Sequence, residues 1–268
     1  MMSTTLLPAS PAATPAPYLG GKRNLARRVV ARLGAIPHIT YVEPFVGMGG
    51  IFLRRSFKAR AEVINDISGD VTTLFRILQR HYVPLMDMLR WQLTSRADFE
   101  RLLATNAETL TDLERAARFL YLQRTAFGGK VSGRNFGVSV GGPARFDVTK
   151  LGATLEEIHE RLAGVVIERL PYAQLIARYD RPETLFYLDP PYWGCEKDYG
   201  PGVFDRGDFE RLAEQLAGIK GRFLLSLNDT PGVREVFGRF TIEAVETTYT
   251  VGAGASAQKA GEVLISNG

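Results

Sequence analysis

Nine consecutive residues, Thr184-Leu185-Phe186-Tyr187-Leu188-Asp189-Pro190-Pro191-Tyr192, constrain this chain more than any other stretch. Thr184 to Leu188 are β-branched, apolar or aromatic and predict a buried strand. The run stops at Asp189. Two prolines in series then remove two backbone donors and fix two φ angles. A rigid, extended turn therefore follows the carboxyl end of a strand, which is where ligands sit in open α/β sheets. The turn offers one carboxylate, carbonyls that no ladder can use, and one aromatic face. Such a set suits an exocyclic amine and the flat ring that carries it. The plainer reading is a strand that ends in a solvated Asp.

Composition narrows the classes. The 268 residues allow one large domain or one domain with an insertion. No apolar run approaches the ~20 residues of a membrane span, so no membrane partner is expected. A single cysteine, Cys195, excludes an internal disulfide framework, and three scattered histidines argue against a metal site. A reducing, intracellular and cytoplasmic setting is expected. Residues 1–17 are rich in Pro, Ala, Ser and Thr and carry no charge, which predicts a flexible tail. They lack the basic start and unbroken apolar core of a signal peptide.

From Tyr18 the chain reads as alternating strands and helices. Gly20-Gly21-Lys22 precedes a basic helix in which Leu25, Val29, Val30 and Leu33 share one face. Backbone N–H groups after Gly-Gly can meet a ligand at a positive helix end. This is not a Walker A loop, because Ala16 and Arg23 stand where Gly and Ser or Thr are needed. Ile39 to Phe45 reads as a strand, followed by the glycine loop Val46 to Gly50 and a helix start. That unit cradles nucleotides. Gly47 and Gly49 are in place, but Phe52 occupies the third glycine position of the hydride-transfer fingerprint, which speaks against an NAD-dependent oxidoreductase. Asp66, after the strand Glu62 to Asn65, can accept hydrogen bonds from ribose hydroxyls or cap the helix from Ile67; both roles stay open.

Between about 82 and 150 the rhythm breaks, although Asp112 to Leu122 is a strong helix. Gln123 to Phe136 interleaves glycines, basic residues and aromatics, as in an outward hairpin. From Arg118 to Lys150 six basic residues face one acid, Asp147, whereas the whole chain carries only +4. A positive loop with flat side chains suits a phosphate backbone and exposed bases; a solvated surface loop is the bland alternative. The rhythm resumes with strands at Val165–Glu168, Arg222–Asn228, Ile242–Val251 and Glu262–Asn267, a helix at Phe209–Leu216, and a loop at Gly252–Gly261.

Four pieces, Gly20-Gly21-Lys22, Val42 to Gly49, Asn65-Asp66-Ile67 and Asp189-Pro190-Pro191-Tyr192, occur in an order that resembles the Dam-like DNA adenine-N6 methyltransferases, α-group amino-methyltransferases with this Asp-Pro-Pro-Tyr turn. The likeness spans Tyr18 to Asn267. Gly47-Met48-Gly49-Gly50 stands where relatives often carry Gly-Ala-Gly-Ser. The resemblance implies a Rossmann-like α/β sheet with an antiparallel last strand, over 18–81 and 151–268. It also implies an inserted, mainly helical target-recognition domain over 82–150, and S-adenosylmethionine as cofactor. It assigns the cofactor pocket to Tyr18, Gly21, Lys22, Glu43, Pro44, Phe45, Gly47, Gly49, Asp66, Ile67 and Asp189. Tyr172, read as the end of the preceding strand, joins them.

The implied partner is double-stranded DNA, with the oligomeric state open. Asp189, Pro190, Pro191 and Tyr192 become the catalytic set, acting on an adenine flipped from the stack. Arg124, Lys130, Arg134 and Asn135 are the expected DNA contacts, with Arg134 and Asn135 as base readers and Lys130 on phosphate. The same turn chemistry serves cytosine N4 or adenine in RNA, and a binding protein with a dead site is the remaining rival.

Overall fold

The computed structural model describes residues 5–18, 22, 25–138, 141–196, 200, 202–249 and 258–268. In chain order the elements are β1 (Leu7–Pro8), α1 (Ala26–Ala35), β2 (Thr40–Glu43), β3 (Phe57–Lys58), β4 (Ala61–Asn65), α2 (Gly69–Arg80), α3 (Tyr82–Leu89), α4 (Arg96–Ala104), α5 (Asp112–Thr125), α6 (Val148–Arg161), β5 (Val166–Glu168), α7 (Tyr172–Tyr179), β6 (Thr184–Leu188), α8 (Arg206–Ala217), β7 (Arg222–Asn228), α9 (Pro231–Val236), β8 (Thr241–Tyr249) and β9 (Gln258–Ser266).

Seven of these strands form one sheet in the order β5-β4-β2-β6-β7-β9-β8. β5 through β7 pair in parallel, while β9 runs antiparallel between β7 and β8. This is the expected Rossmann-like methyltransferase sheet with its antiparallel last strand. β6 is buried along its whole length, as its unbroken apolar run requires of a parallel strand covered on both faces. Its side chains alternate: Leu185 and Tyr187 join the core under α2 and the inserted helices, Phe186 and Leu188 the core under α7 and α8. β8 lies at the sheet edge, as its alternating pattern predicts; Val251 and the loop at 252–257 lie outside the described residues.

Helices α3, α5 and α6 pack on α2, α3 also on α5 and α6, and α4 packs on α5. Their buried Leu85, Phe99, Leu120 and Leu155 belong to the same core as Tyr41 and Ile64 of the sheet. α5 starts on a reciprocal cap between Thr111 and Glu114, which satisfies two orphan N–H groups.

Two sequence expectations change. No long helix follows the glycine loop: the chain turns through residues 47–51 into a short 3-10 helix, Phe52–Arg54. Residues 5–17 are also not a flexible tail. Leu7 and Pro8 pair with Lys58 and Phe57, Ala9 N–H donates to Ser56 O (3.0 Å) and Ala12 N–H to Leu53 O (2.8 Å). Ala12 and Ala16 are buried. Uncharged, small residues can enter a groove, and prolines reduce the entropy lost on ordering. Removing residues 1–12 should therefore lower stability by about 2 kcal/mol, at roughly 1 kcal/mol for each of the two last-named bonds. A urea midpoint identical to that of the full chain would show that the arm contributes nothing.

Candidate active site

The sheet reverses its winding between β2 and β6: from β2 the chain steps outward to β4 and β5, then returns to β6 and steps the other way. Ligand crevices form at such a switch point. A cavity of about 1540 Å³ opens there, lined by Glu43 at the end of β2, Asp189 past the end of β6, and Asp66 past the end of β4.

The turn after β6 is held from β7. Asn228 accepts from Trp193 N–H (2.9 Å) and donates to Trp193 O (2.9 Å), as a neighbouring strand would. The Arg206 guanidinium lies 3.9 Å over the Trp193 ring. Two prolines leave the turn few donors of its own, so this side-chain amide stands in for a ladder.

Charges converge beneath it. Lys22 is buried, and its Nζ lies 3.0 Å from Asp189 Oδ1 and 3.3 Å from Glu262 Oε2. It also donates to the Tyr192 hydroxyl and sits 4.0 Å from the centre of that ring. Tyr192 OH in turn donates to Glu262 Oε1 (2.7 Å). Ser226 Oγ donates to Asp189 Oδ1 (3.2 Å) and shares a 2.9 Å hydrogen bond with Tyr187 OH. Burial pushes the Asp189 carboxyl up to about 6, with Lys22 pulling the other way. Burial and the two carboxylates hold the Tyr192 phenol far above its ordinary range. Glu43 is pushed up to about 8 by burial, against the hydrogen bond from Tyr41 OH (2.7 Å).

On the glycine-loop side, Asp66 accepts from Gly47 N–H (3.0 Å) and Ser68 N–H (2.9 Å). Burial raises its carboxyl to about 6, the two backbone bonds lowering it. Ser68, not Asp66, caps α2. Gly47 (φ +50°) and Gly49 (φ +73°) turn the loop, a left-handed geometry glycine adopts without penalty. Gly47 faces the cavity with Tyr18 packed on it, whereas Gly49 is absent from the lining and packs toward Leu53. Gly50 lines the wall instead. Pro44, Phe45, Ile67, Pro190, Pro191 and Tyr192 all line the cavity. Tyr172 does so too, but as the first residue of α7 rather than a strand end. Phe45, Tyr172 and Phe204 form a ring cluster with centroids 5.6–6.0 Å apart. Gly21 lies outside the described residues.

Glu262, Asn228 and Ser226 were not singled out by sequence, and Asn65 entered only within the Asn65-Asp66-Ile67 piece, with no role of its own. Asn65 donates to Pro44 O (2.9 Å) and Leu170 O (3.0 Å) and accepts from Leu170 N–H (2.8 Å), tying two cavity walls together. The available signal for Glu262 was a lone acid opening the apolar run Val263-Leu264-Ile265.

The expected DNA contacts divide. A hairpin does form, with an Ala126–Phe136 bridge and Phe127 N–H donating to Asn135 O (2.8 Å). Lys130 and Asn135 are exposed. Arg134 instead folds back, donating to Gln123 Oε1 (3.0 Å) and Lys130 O (3.1 Å). Arg124 donates to Pro15 O (2.8 Å) and lines the cavity. In this arrangement the two arginines brace the hairpin and arm, because a guanidinium meets several carbonyls at once.

Asp66→Ala should leave two backbone N–H groups without their acceptor, at about 1–3 kcal/mol for each if both stay buried. S-adenosylmethionine affinity should fall at least about tenfold, with a smaller effect on DNA affinity, if the carboxylate also holds ribose hydroxyls. Calorimetry giving an unchanged cofactor affinity would leave Asp66 only its bracing role.

Residues 18–251 match the D12 class N6 adenine-specific DNA methyltransferase family. The type II methyltransferase M1.LlaDCHI of Lactococcus lactis subsp. cremoris is 26% identical over 280 residues, covering 93% of each chain. The DNA adenine methylase of Salmonella typhi is 27% identical over 240 residues, covering 83% of this chain and 84% of its own. The type II methyltransferase M.CviBI of Paramecium bursaria Chlorella virus NC1A is 22% identical over 214 residues, covering 78% and 81%. The family match takes in the glycine loop, the acid after β4, the Asp-Pro-Pro-Tyr turn and the inserted helices between them, and the chain belongs to the D12 class of N6 adenine-specific DNA methyltransferases.

Proposed function

We propose that the cavity takes S-adenosylmethionine on the Glu43–Asp66 side and a flipped adenine of double-stranded DNA against the Asp189 turn. The observation that carries this is the state of Asp189. Among the described residues its hydrogen bonds fall on Oδ1, from Lys22 and Ser226. Its Oδ2 is then the acceptor for an amine entering the cavity.

The residues fit the cofactor. Asp66 uses one lone pair of each oxygen on Gly47 and Ser68, and each oxygen keeps a second for a ribose hydroxyl. Gly47 brings backbone to the wall, and the Phe45–Tyr172–Phe204 rings offer flat apolar surface. Glu43, with its carboxyl near 8, gains its charge readily when a cation arrives beside it. Bound there, S-adenosylmethionine supplies a methyl group activated by a sulfonium.

Adenine N6 is a weak nucleophile because its lone pair is drawn into the ring. Asp189 Oδ2 and the Pro190 carbonyl would accept its two N–H bonds, returning density to N6 and stabilising the positive charge that grows there. Tyr192 stacks on the base. The proton released from N6 passes to Asp189, whose raised carboxyl suits a general base near neutral pH. A base inside a duplex cannot reach this turn, so it must leave the stack. Residues 82–150 are proposed as the target-recognition region, with Lys130 on phosphate, Asn135 toward bases, and Arg124 and Arg134 supporting them. A DNA substrate fits an intracellular location.

Asp189→Asn should lower the methylation rate about a hundredfold or more, with cofactor affinity nearly unchanged; nucleoside mass spectrometry of the DNA reads N6-methyladenine directly. A rate within tenfold of wild type would remove Asp189 from the centre of the reaction. Because the carboxylate is the active form and burial raises its pKa, kcat/KM should be full above about pH 6 and fall as pH drops through it. In the recognition region, Lys130→Ala should weaken binding to all sequences and flatten the salt slope by about one unit. Asn135→Ala should cost about 1–3 kcal/mol at one base pair. Wild-type affinity and site profile in both variants would exclude the hairpin as a DNA contact.

A further inference from the structure

Glu262 has no role in the chemistry described so far, yet it is wholly buried. It stands in β9 opposite Asn228 of β7 and Val245 of β8, followed by Val263, Leu264 and Ile265 of the core. A carboxylate in that position costs stability unless its partners compensate, and an apolar side chain would serve the sheet better. Its two oxygens have distinct partners: Oε1 accepts from Tyr192 OH at 2.7 Å, and Oε2 lies 3.3 Å from Lys22 Nζ. Lys22 is therefore shared by two carboxylates, with Asp189 Oδ1 at 3.0 Å.

We infer that Glu262 is a positioning residue, which offsets the Lys22 ammonium and orients the Tyr192 ring so that the Asp189 carboxylate is not cancelled by Lys22 and remains available to the substrate amine.

The argument is one of charge. With Lys22 and Asp189 alone, the buried pair is neutral, and positive charge growing on N6 meets an ammonium bound to the very carboxylate that should stabilise it. Glu262 makes the trio net negative, and Lys22 can lean on Glu262 while Asp189 serves the base. In a site shielded from water such a change in net charge matters more than at a surface. The hydroxyl of Tyr192, gripped by Glu262 and Lys22, fixes the plane on which the base would stack. The groups that face Asp189 are Lys22 ahead of α1, Glu43 of β2, Tyr187 of β6, Tyr192 of its own turn, Ser226 of β7 and Glu262 of β9. Of the two acidic neighbours among them, Glu43 and Glu262, only Glu262 shares Lys22 with Asp189. A negative neighbour raises a carboxyl pKa, so neutralising Glu262 lowers that of Asp189 and makes it a weaker base.

This inference rests on the reading of Asp189 as the acceptor for N6. The test is Glu262→Gln in the full-length protein, measured in single turnover with saturating S-adenosylmethionine and duplex DNA, beside Asp189→Asn. The expected result is a rate at least tenfold below wild type, with cofactor and DNA dissociation constants within twofold. The acid limb of kcat/KM against pH should move to lower pH. A limb that stays in place, or a rate within twofold of wild type, overturns the inference, and so does a loss of activity traced to lost cofactor binding. If Glu262→Gln does not fold, Glu262→Asp decides: it keeps the charge, so its acid limb should stay at the wild-type position while the rate falls, and a limb displaced downward overturns the proposal. If Asp189→Asn is fully active, the reading of the turn itself has failed, whatever Glu262→Gln does.

Discussion

The parallel pairing of β2 with β6 is the constraint on which the remaining structure depends. Thr40, Tyr41 and Val42 run in register with Thr184, Leu185 and Phe186, so Glu43 ends β2 level with Tyr187, and Asp189 follows two residues further along on the neighbouring strand at the carboxyl edge of the sheet. Because both strands are buried on both faces, neither can slip by one residue without turning apolar side chains to the wrong core. The register that fixes the core thereby fixes the spacing of the reacting groups. A site built on strand ends is held more firmly than one built on loops.

Burial then sets the chemistry at the two ends of the sheet in opposite ways. At the amino end of β4, Glu62 is gripped by Arg55 (2.7 Å) and by both nitrogens of Arg161 (2.6 and 3.1 Å), one carboxylate between two cations. Arg55 is further stacked 3.6 Å over Tyr41. At the carboxyl end, Asp189 and Glu262 share the single cation Lys22. The first arrangement leaves a surplus of positive charge and joins three chain segments. The second leaves a surplus of negative charge where a cationic donor and a developing cation are to be met. Both carry the desolvation cost of buried ions.

The amino-terminal arm links the two halves of the molecule. Gln123 of α5 donates to Pro17 O (2.9 Å) and to Gly129 O (2.6 Å) and accepts from Arg134 (3.0 Å). One buried amide thus joins the arm, the hairpin and the recognition helices. One residue beyond Pro17, Tyr18 packs on Gly47 of the glycine loop. The hairpin proposed to meet DNA and the loop proposed to meet cofactor are two side chains apart along this path.

Local order was legible in the sequence wherever one residue type enforces it. The apolar run and paired prolines at Thr184–Tyr192 set a strand and a turn, the glycines at 47 and 49 set a left-handed loop, and the 3.6-residue period set α5. Asp66 and Asp189 were found because each adjoins such a feature, Lys22 and Glu43 because the family resemblance assigns them to the pocket. Glu262 and Asn228 were not, since their importance lies in partners 240 and 35 residues away, and no local pattern encodes an antiparallel β9 placed beside β7. Arg134 and Arg124 went the other way: in sequence they are exposed charges in a basic loop, but in the fold the carbonyls of Lys130 and Pro15 and the Gln123 amide draw them inward. The same holds for residues 5–17, whose composition spoke for disorder until the groove beside Leu53 and Ser56 gave their backbone groups partners. Sequence alone determined the chemistry the chain carries, because residue types at short spacing dictate strands, turns and helix faces. Only the tertiary structure decided which charges meet, because that depends on which strand ends the sheet brings together.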